Sequence, residues 1–359
     1  MTRVLSISAD RSKMGILVPG SAAYARQKAY AEKLGTLDII GFSLQTDSFT
    51  EVRDGALRMY PTRSVTKFLY GLNAIFMAAK MPWPDVVSVQ DPFETGLIGL
   101  IISRFVQKPL HVQVHTDFLA PEYARHSLLN RFRVWVAGIV LKRAARVRVV
   151  SERIRISIQT QYGLDVPVSV LPIFVDIENI RSAGPDQTLS ARFERYSKKM
   201  LYVGRLEPEK HPCLALRAFA KAAPQGACLI VVGSGSEAAY LRKLASELGV
   251  TDRVFFEGET SSAPYYALAD LVLVTSRYEG YGLVIVEALA AGKPVLSTDV
   301  GIAREAGALM ASEHEYADAL RRWFVDGPRE GRLTGYPYAN FEEYVAAYCA
   351  DIEACIMSA

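Results

Sequence analysis

Short apolar, β-branched runs alternate with amphipathic stretches along nearly the whole chain, and this alternation constrains the fold more than any other feature. Residues 4–8, 37–42, 86–89, 110–114, 147–150 and 168–172 read as strands, and helical periodicity fills 21–34, 65–80, 94–108 and 127–145 between them. A polar stretch at 181–199 (RSAGPDQTLSARFERYSKK) has no buried run and reads as a linker. The alternation then restarts, with strands at 200–203, 228–232, 254–256, 271–275 and 294–297 and helices at 212–223, 237–248 and 283–291. A last helical run spans 342–357. Strand–helix alternation with strands apolar on both faces predicts an α/β protein of two doubly wound parallel sheets covered by helices. Ligands of such sheets bind beyond the strand carboxyl ends.

The 359 residues suit two domains at roughly 100–200 residues each. No apolar run approaches the ~20 residues of a spanning helix, and MTRVLSISADRSKMG lacks the apolar core of a secretory signal. Cys213, Cys228, Cys349 and Cys355 show no metal-ligand spacing and suit reduced thiols, so the cytoplasm is the expected compartment.

The strand LVLVTS runs through RYEGYG into the helix LVIVEALAAG. That order sets Glu279 in a loop at the carboxyl edge of the sheet. Gly280 and Gly282 let backbone approach a ligand. The amides of Gly282, Leu283 and Val284 open the helix, where unpaired N–H groups and the helix dipole favour an anion such as phosphate. Glu287 follows about one turn later, within reach of sugar hydroxyls. Together these groups suit a nucleotide, although an ordinary helix start with two surface acids has the same spacing. In LYVGRLEPEK the chain leaves a strand through Gly204 and presents Arg205 and Lys210. A planar fork and a point charge suit a diphosphate; a solvated basic turn is the plainer reading. VVGSGSEA, with Glu257 and Glu259 roughly 20 residues on, nominally fits a dinucleotide fingerprint. It follows the second strand of its half rather than the first, which argues against NAD.

Taken together, VGRLEPEK, VVGSGSE, FFEGE and SRYEGYGLVIVEALAAGKPVL resemble the retaining glycosyltransferases of family 4. The resemblance implies the GT-B fold, two Rossmann-like domains facing across a cleft. On this sequence it gives an acceptor-side domain at 1–178, a linker at 179–199 and a nucleotide-sugar domain at 200–340. The helix at 341–359 either closes the second domain or crosses back to the first. The resemblance implies a UDP- or GDP-sugar donor, with Arg205 and Lys210 on the diphosphate, Glu287 on the ribose and Glu279 on the transferred sugar. Gly204, Gly233, Gly280, Tyr281, Gly282, Leu283 and Val284 would supply donor-binding backbone. HVQVHTD ends a strand where the family places a histidine beside the donor sugar, a role that falls to His115, with Asp117 as second candidate. The family's paired glycines after the first strand are not evident; GILVPGSAAYARQ offers Gly20 and Arg26 instead.

The implied reaction moves a hexose to a hydroxyl with retention, the departing phosphate taking the acceptor's proton. No Asp-x-Asp stands at the phosphates, so fixed charges replace a metal and no cofactor is expected. A GT-B sugar-nucleotide epimerase, a non-catalytic nucleotide-sugar-binding subunit and a nicotinamide enzyme are the alternatives. Between Arg125 and Arg155 the bases Arg131, Arg133, Lys142, Arg143, Arg146, Arg148 and Arg153 are interleaved with Phe132, Trp135 and aliphatic residues, with Glu152 the only acid. Residues 125–155 read either as a basic helix for an anionic membrane surface or as a sheet-covering helix with a solvated rim. The first reading suits a lipid-linked or glycan acceptor at the inner face of the membrane. No motif accompanies the charge to suggest nucleic acid. Finally, DPFE at 91–94 reads as a capping box, with Asp91 as cap and Glu94 reaching back.

Overall fold

The computed structural model describes residues 1–12, 15–184 and 186–357. The chain divides into two compact units, one of Met1–Pro172 with Tyr338–Ala359 and the other of Ile173–Pro337.

The first unit runs β1 (Thr2–Ser8), α1 (Ala22–Leu34), β2 (Gly35–Gly41), β3 (Val52–Asp54), β4 (Leu57–Pro61), α2 (Tyr70–Ala79), β5 (Val86–Val89), α3 (Glu94–Val106), β6 (Leu110–Val114), α4 (Pro121–His126), α5 (Leu128–Leu141), β7 (Arg146–Val149), α6 (Glu152–Tyr162) and β8 (Val168–Val170). Its eight strands lie in the order β3–β4–β2–β1–β5–β6–β7–β8. Among the described residues only β3 and β4 pair antiparallel. They form a hairpin that the alternation does not reveal, turning at Gly55 with φ 61° in Asp-Gly-Ala. The strands are short and apolar because helices cover both faces; Ile7, Val87, Val112 and Val147 are fully buried.

The C-terminal helix Phe341–Met357 packs on this unit, against α1, β5 and β6. Its Tyr344 accepts a hydrogen bond from Tyr30 at 2.7 Å, and Tyr30 stacks on Tyr348 with ring centroids 4.0 Å apart. Asp351 takes hydrogen bonds from Arg146 Nε at 2.5 Å and Ser169 Oγ at 2.5 Å, and lies 3.0 Å from His111 Nε2.

Sequence expectations fail at three places here. Asp91 is not a helix cap. Phe93 occupies that position; Asp91 instead accepts from the Phe93 amide at 2.8 Å and from Thr95 Oγ1 at 2.7 Å, while Glu94 turns outward to Arg133. The basic residues of 125–155 do not all form an outward-facing rim. They span α5, β7 and the start of α6, and Arg148 is buried in the sheet, where it donates to Gln113 Oε1 at 2.7 Å and to the Leu171 carbonyl at 3.0 Å. The helix expected at 65–80 is a single 3-10 turn, Lys67–Leu69, followed by the shorter α2.

The second unit runs α7 (Ile177–Ser182), α8 (Gln187–Phe193), β9 (Lys198–Val203), α9 (Pro212–Ala222), β10 (Ala227–Val232), α10 (Ala238–Glu247), β11 (Val254–Gly258), α11 (Ala263–Leu268), β12 (Leu271–Val274), α12 (Leu283–Ala290), β13 (Val295–Ser297), α13 (Ala303–Ala306), β14 (Leu309–Met310) and α14 (Tyr316–Asp326). Its six strands are ordered β11–β10–β9–β12–β13–β14, all neighbours parallel. The stretch expected as a linker carries the end of α7, all of α8 and the start of β9. Its polarity belongs to short surface helices capped by Asp176 and Asp186. Both units thus have the doubly wound parallel design that strand–helix alternation dictates.

Candidate functional site

In the second unit the chain order reverses between β9 and β12, and ligands of such sheets bind beyond the strand ends at that switch point. Residues 204–211 and 275–282 are the loops that leave the sheet there. Three groups, Arg277, Thr275 and Lys210, stitch them together, and Ser276 braces Glu279 from within its own loop. The Arg277 amide donates to the Glu209 carbonyl at 2.8 Å. Thr275 Oγ1 lies 3.1 and 2.9 Å from the Lys210 and His211 carbonyls. Lys210 Nζ donates to Glu279 Oε1 at 2.5 Å, and Ser276 Oγ donates to the same oxygen at 2.7 Å. The structure therefore brings Lys210 and Glu279 to one point. Arg205 shares the first loop, but its side chain is 69% exposed and its guanidinium pairs with Glu209 at 2.9 Å.

The loop after β10 lies directly on the loop after β9. A Cβ at Gly233 would stand 1.9 Å from the Gly204 carbonyl oxygen, and one at Gly235 would stand 2.4 Å from that of Leu206. Ser236 adds hydrogen bonds to both carboxylate oxygens of Glu207, at 3.0 Å from its amide and 2.6 Å from its hydroxyl. These glycines are needed for backbone to pass backbone, and the nominal dinucleotide fingerprint has that packing role here.

Helix α12 opens at Gly282, whose φ of 96° strongly favours glycine. The following amides, Leu283 and Val284, have no acceptor within the helix. Behind them the Ile302 amide donates to the Tyr281 carbonyl at 3.0 Å. A Cβ at Gly301, φ 52°, would stand 2.2 Å from that carbonyl oxygen. Further along α12, Glu287 Oε2 accepts a hydrogen bond from Tyr266 at 2.6 Å. Burial raises the Glu287 carboxyl above its ordinary range, and the Tyr266 hydroxyl partly offsets this. Thr275, Tyr266 and Gly301 escape sequence reading: Thr275 ends a strand, Tyr266 has the pattern of a core aromatic and Gly301 that of a turn glycine.

In the first unit, His115 follows β6 and is half-buried. Burial, then the charges of Arg148 and Arg26, push its pKa down to about 3. Arg26 lies on α1. Asp117 is buried; burial raises its carboxyl and the charge of Arg153 opposes the rise. Gly20, φ 85°, makes the turn before Ser21, which caps α1 by accepting from the Tyr24 amide at 3.0 Å. The His115 ring is expected to stay neutral on titration to below pH 5. Imidazole nitrogen shifts measured by NMR across pH 4–8 check this, and a midpoint near the ordinary histidine value of ~6.5 contradicts it.

Among the described residues no cluster of three or more His, Cys, Asp or Glu side chains has metal-binding geometry, and no helix is long and apolar enough to cross a membrane.

The family described as Glycosyl transferases group 1 matches residues 190–330, and Glycosyltransferase Family 4 matches residues 31–179. The D-inositol 3-phosphate glycosyltransferase of Mycobacterium marinum is 40% identical over 136 residues, which are 35% of this chain and 29% of that relative. The 2-deoxystreptamine glucosyltransferase of Streptomyces kanamyceticus is 28% identical over 292 residues, covering 72% of this chain and 74% of the relative. The match to the mycobacterial protein therefore spans less than a third of that relative's length. Among solved structures, Anabaena Alr3699/HepE in complex with UDP and glucose is similar with a TM-score of 0.67 and 20% identity, over 99% of this chain and 95% of that one. Sucrose-phosphate synthase from Thermosynechococcus elongatus has a TM-score of 0.73 and 19% identity, over 99% and 94% of the two chains. At these identities the structural likeness is one of fold.

Proposed function

Because the chain belongs to the family 4-like glycosyltransferases of GT-B fold, we propose that it transfers a hexose from a nucleotide diphosphate sugar to a hydroxyl, with the anomeric configuration retained and without a metal or other cofactor. The acceptor in this reading is a glycan or a lipid-linked saccharide. The observation that carries the proposal is the Lys210–Glu279 ion pair of 2.5 Å, where a cation from one loop and an acid from the other meet at the switch point of the second sheet.

Lys210 and Arg205 supply positive charge to the diphosphate as its bond to the sugar breaks, and the opening amides of α12 add fixed dipoles. Such preorganised groups stabilise developing charge without reorganising. Glu279 grips the hydroxyls of the transferred sugar and Glu287 the ribose. The departing phosphate oxygen takes the acceptor's proton, so no separate base is required. A neutral His115 suits a hydrogen bond to a sugar hydroxyl better than a charge contact. The Anabaena neighbour was solved with UDP and glucose and the Streptomyces relative is named a glucosyltransferase, so UDP-glucose is the first donor to test.

The test incubates the chain with UDP-, GDP- and ADP-sugars, with and without an acceptor panel of glycans and lipid-linked saccharides. Acceptor-dependent release of nucleoside diphosphate is expected, undiminished by excess EDTA, with NMR of the product showing the donor's anomeric configuration. Conversion of the sugar nucleotide without acceptor supports an epimerase instead. Tyr266 serves as a positioning residue in this scheme. Tyr266→Phe is expected to raise KM for the donor about tenfold, the worth of a hydrogen bond to a charged group, and to leave kcat within about twofold. An equal loss in kcat contradicts a role confined to donor binding.

A further inference from the structure

Helices α2, α3 and α5 form a continuous layer in the first unit, α2 packing on α3 and α3 on α5. Gly71 brings α2 against Ile98 of α3, to whose Cδ1 a Cβ would come within 2.4 Å. Arg133 of α5 donates to Glu94 of α3 at 2.8 Å. A sheet-covering helix ordinarily buries its apolar stripe and shows charge to water. These three helices show a second apolar stripe to water. On α2, Leu72 and Phe76 are exposed one turn apart, and Phe68 just before the helix is 97% exposed. Along α3, exposed Leu97, Ile101 and Phe105 recur every four residues. Along α5, exposed Leu128, Phe132 and Trp135 share a face, with the two aromatic rings 5.7 Å apart. Phe76, Phe105 and Trp135 are 59%, 60% and 62% exposed, one on each helix. Extended apolar surface of this kind marks an interaction face.

Charge identifies the occupant. Helix α2 (YGLNAIFMAA) carries no charged residue. On the three helices Glu94 is the one acid, and Arg133 answers it. Exposed Lys67, Lys80, Arg104, Arg131 and Lys142 lie on or flank the helices. A two-fold contact with a second copy would set these bases against themselves with no acid in reply. An anionic bilayer offers an apolar medium to the aromatic stripe and headgroups to the bases, whose long stems reach the interface. We infer that the α2–α3–α5 face docks on an anionic lipid bilayer. The basic stretch legible in sequence contributes only α5 and its flanks; α2 and α3 enter through the fold. Lipid docking deepens the lipid-linked-acceptor reading, but it rests on surface chemistry and is tested without any sugar donor.

The experiment is co-sedimentation of the full chain with phosphatidylcholine vesicles, with and without phosphatidylglycerol, at low and high NaCl. Binding is expected with phosphatidylglycerol only, weaker at high salt as screening shortens the reach of the bases. Phe132→Ser/Trp135→Ser is expected to weaken it at least ~10-fold, since the lost aromatic burial is worth more than that ratio. Arg104→Glu/Arg131→Glu, which keeps the apolar surface, is expected to abolish the preference for anionic vesicles. Both variants should retain wild-type circular dichroism. No binding by the wild type, equal binding to both vesicle types, or variants that bind as wild type overturn the inference. So does a concentration-dependent dimer, seen by analytical ultracentrifugation and lost in the serine variant, which would assign the face to a second copy.

Discussion

Lys210→Met is expected to lower kcat by roughly 10²–10³-fold, the usual effect of removing one preorganised group from a developing negative charge. Its thermal midpoint should scarcely move. The Lys210–Glu279 pair is partly open to solvent, with side-chain exposures of 21% and 17%. An ion pair there contributes little to stability, and Glu279 keeps its hydrogen bond from Ser276 when the lysine is gone. The two loops also stay joined by Arg277 to Glu209 and by Thr275 to the Lys210 and His211 carbonyls. Catalysis and folding are therefore separable at this residue. Lys210→Arg, which keeps the charge but changes its reach, should recover part of the rate. If Lys210→Met loses activity only in proportion to a loss of folded protein, the lysine is a loop staple and not a catalytic group.

Asp351→Ala is expected to destabilise the first unit by about 3–5 kcal/mol at neutral pH, because removing one partner leaves buried charge without an answer. Asp351 is 5% exposed, and its carboxylate faces His111, Arg146 and Ser169. Burial pushes the carboxyl up, but the hydrogen bonds and charge of these three groups outweigh it and bring the pKa to about 2, from 3.8 for a free aspartate. The folded value lies below the unfolded one, so the ionised carboxylate stabilises the fold above pH ~4. That contribution, roughly 2–3 kcal/mol, is lost as the pH falls from about 4 towards 2. Urea titrations of wild type and variant, followed by far-UV circular dichroism, should show a gap that narrows over this range. A gap independent of pH would mean that packing, and not the charge network, anchors the C-terminal helix.

Sequence patterning identifies features whose cause is local. Strand–helix alternation in the second unit marks β9, β10, β11, β12 and β13 to within a few residues, because each is a short apolar run between turn residues. The motif RYEGYGLVIVEALAAG places Glu279 in a loop and Glu287 on a helix, which is where both stand. Features with non-local causes stay hidden. Nothing around Tyr266 shows that its hydroxyl meets a carboxylate 21 residues away. Gly301 resembles an ordinary turn glycine and Gly233 a ligand-binding one until another backbone is found within van der Waals distance of each. Arg148, in a run of bases, reads as solvated, yet it lies inside the sheet because Gln113 and the Leu171 carbonyl accept its hydrogen bonds. The second apolar stripe on α3 goes unnoticed because ETGLIGLIISRFV reads as one buried helix whichever face meets the sheet. The β3–β4 hairpin did carry its own signal in Gly55-Ala56, a two-residue loop with glycine at the first central position, which the flanking polar residues mask.

Catalysis in this scheme depends on a diphosphate held by the cations of the loop after β9. Calorimetric titration of UDP, GDP and ADP, each beside its monophosphate, measures this directly in wild type and in Arg205→Ala/Lys210→Ala. In the wild type one diphosphate should bind at least ~10-fold tighter than its monophosphate, the value of charge-assisted contacts to the second phosphate. In the double variant that advantage should vanish. A double variant that keeps the wild-type preference for the diphosphate contradicts the account.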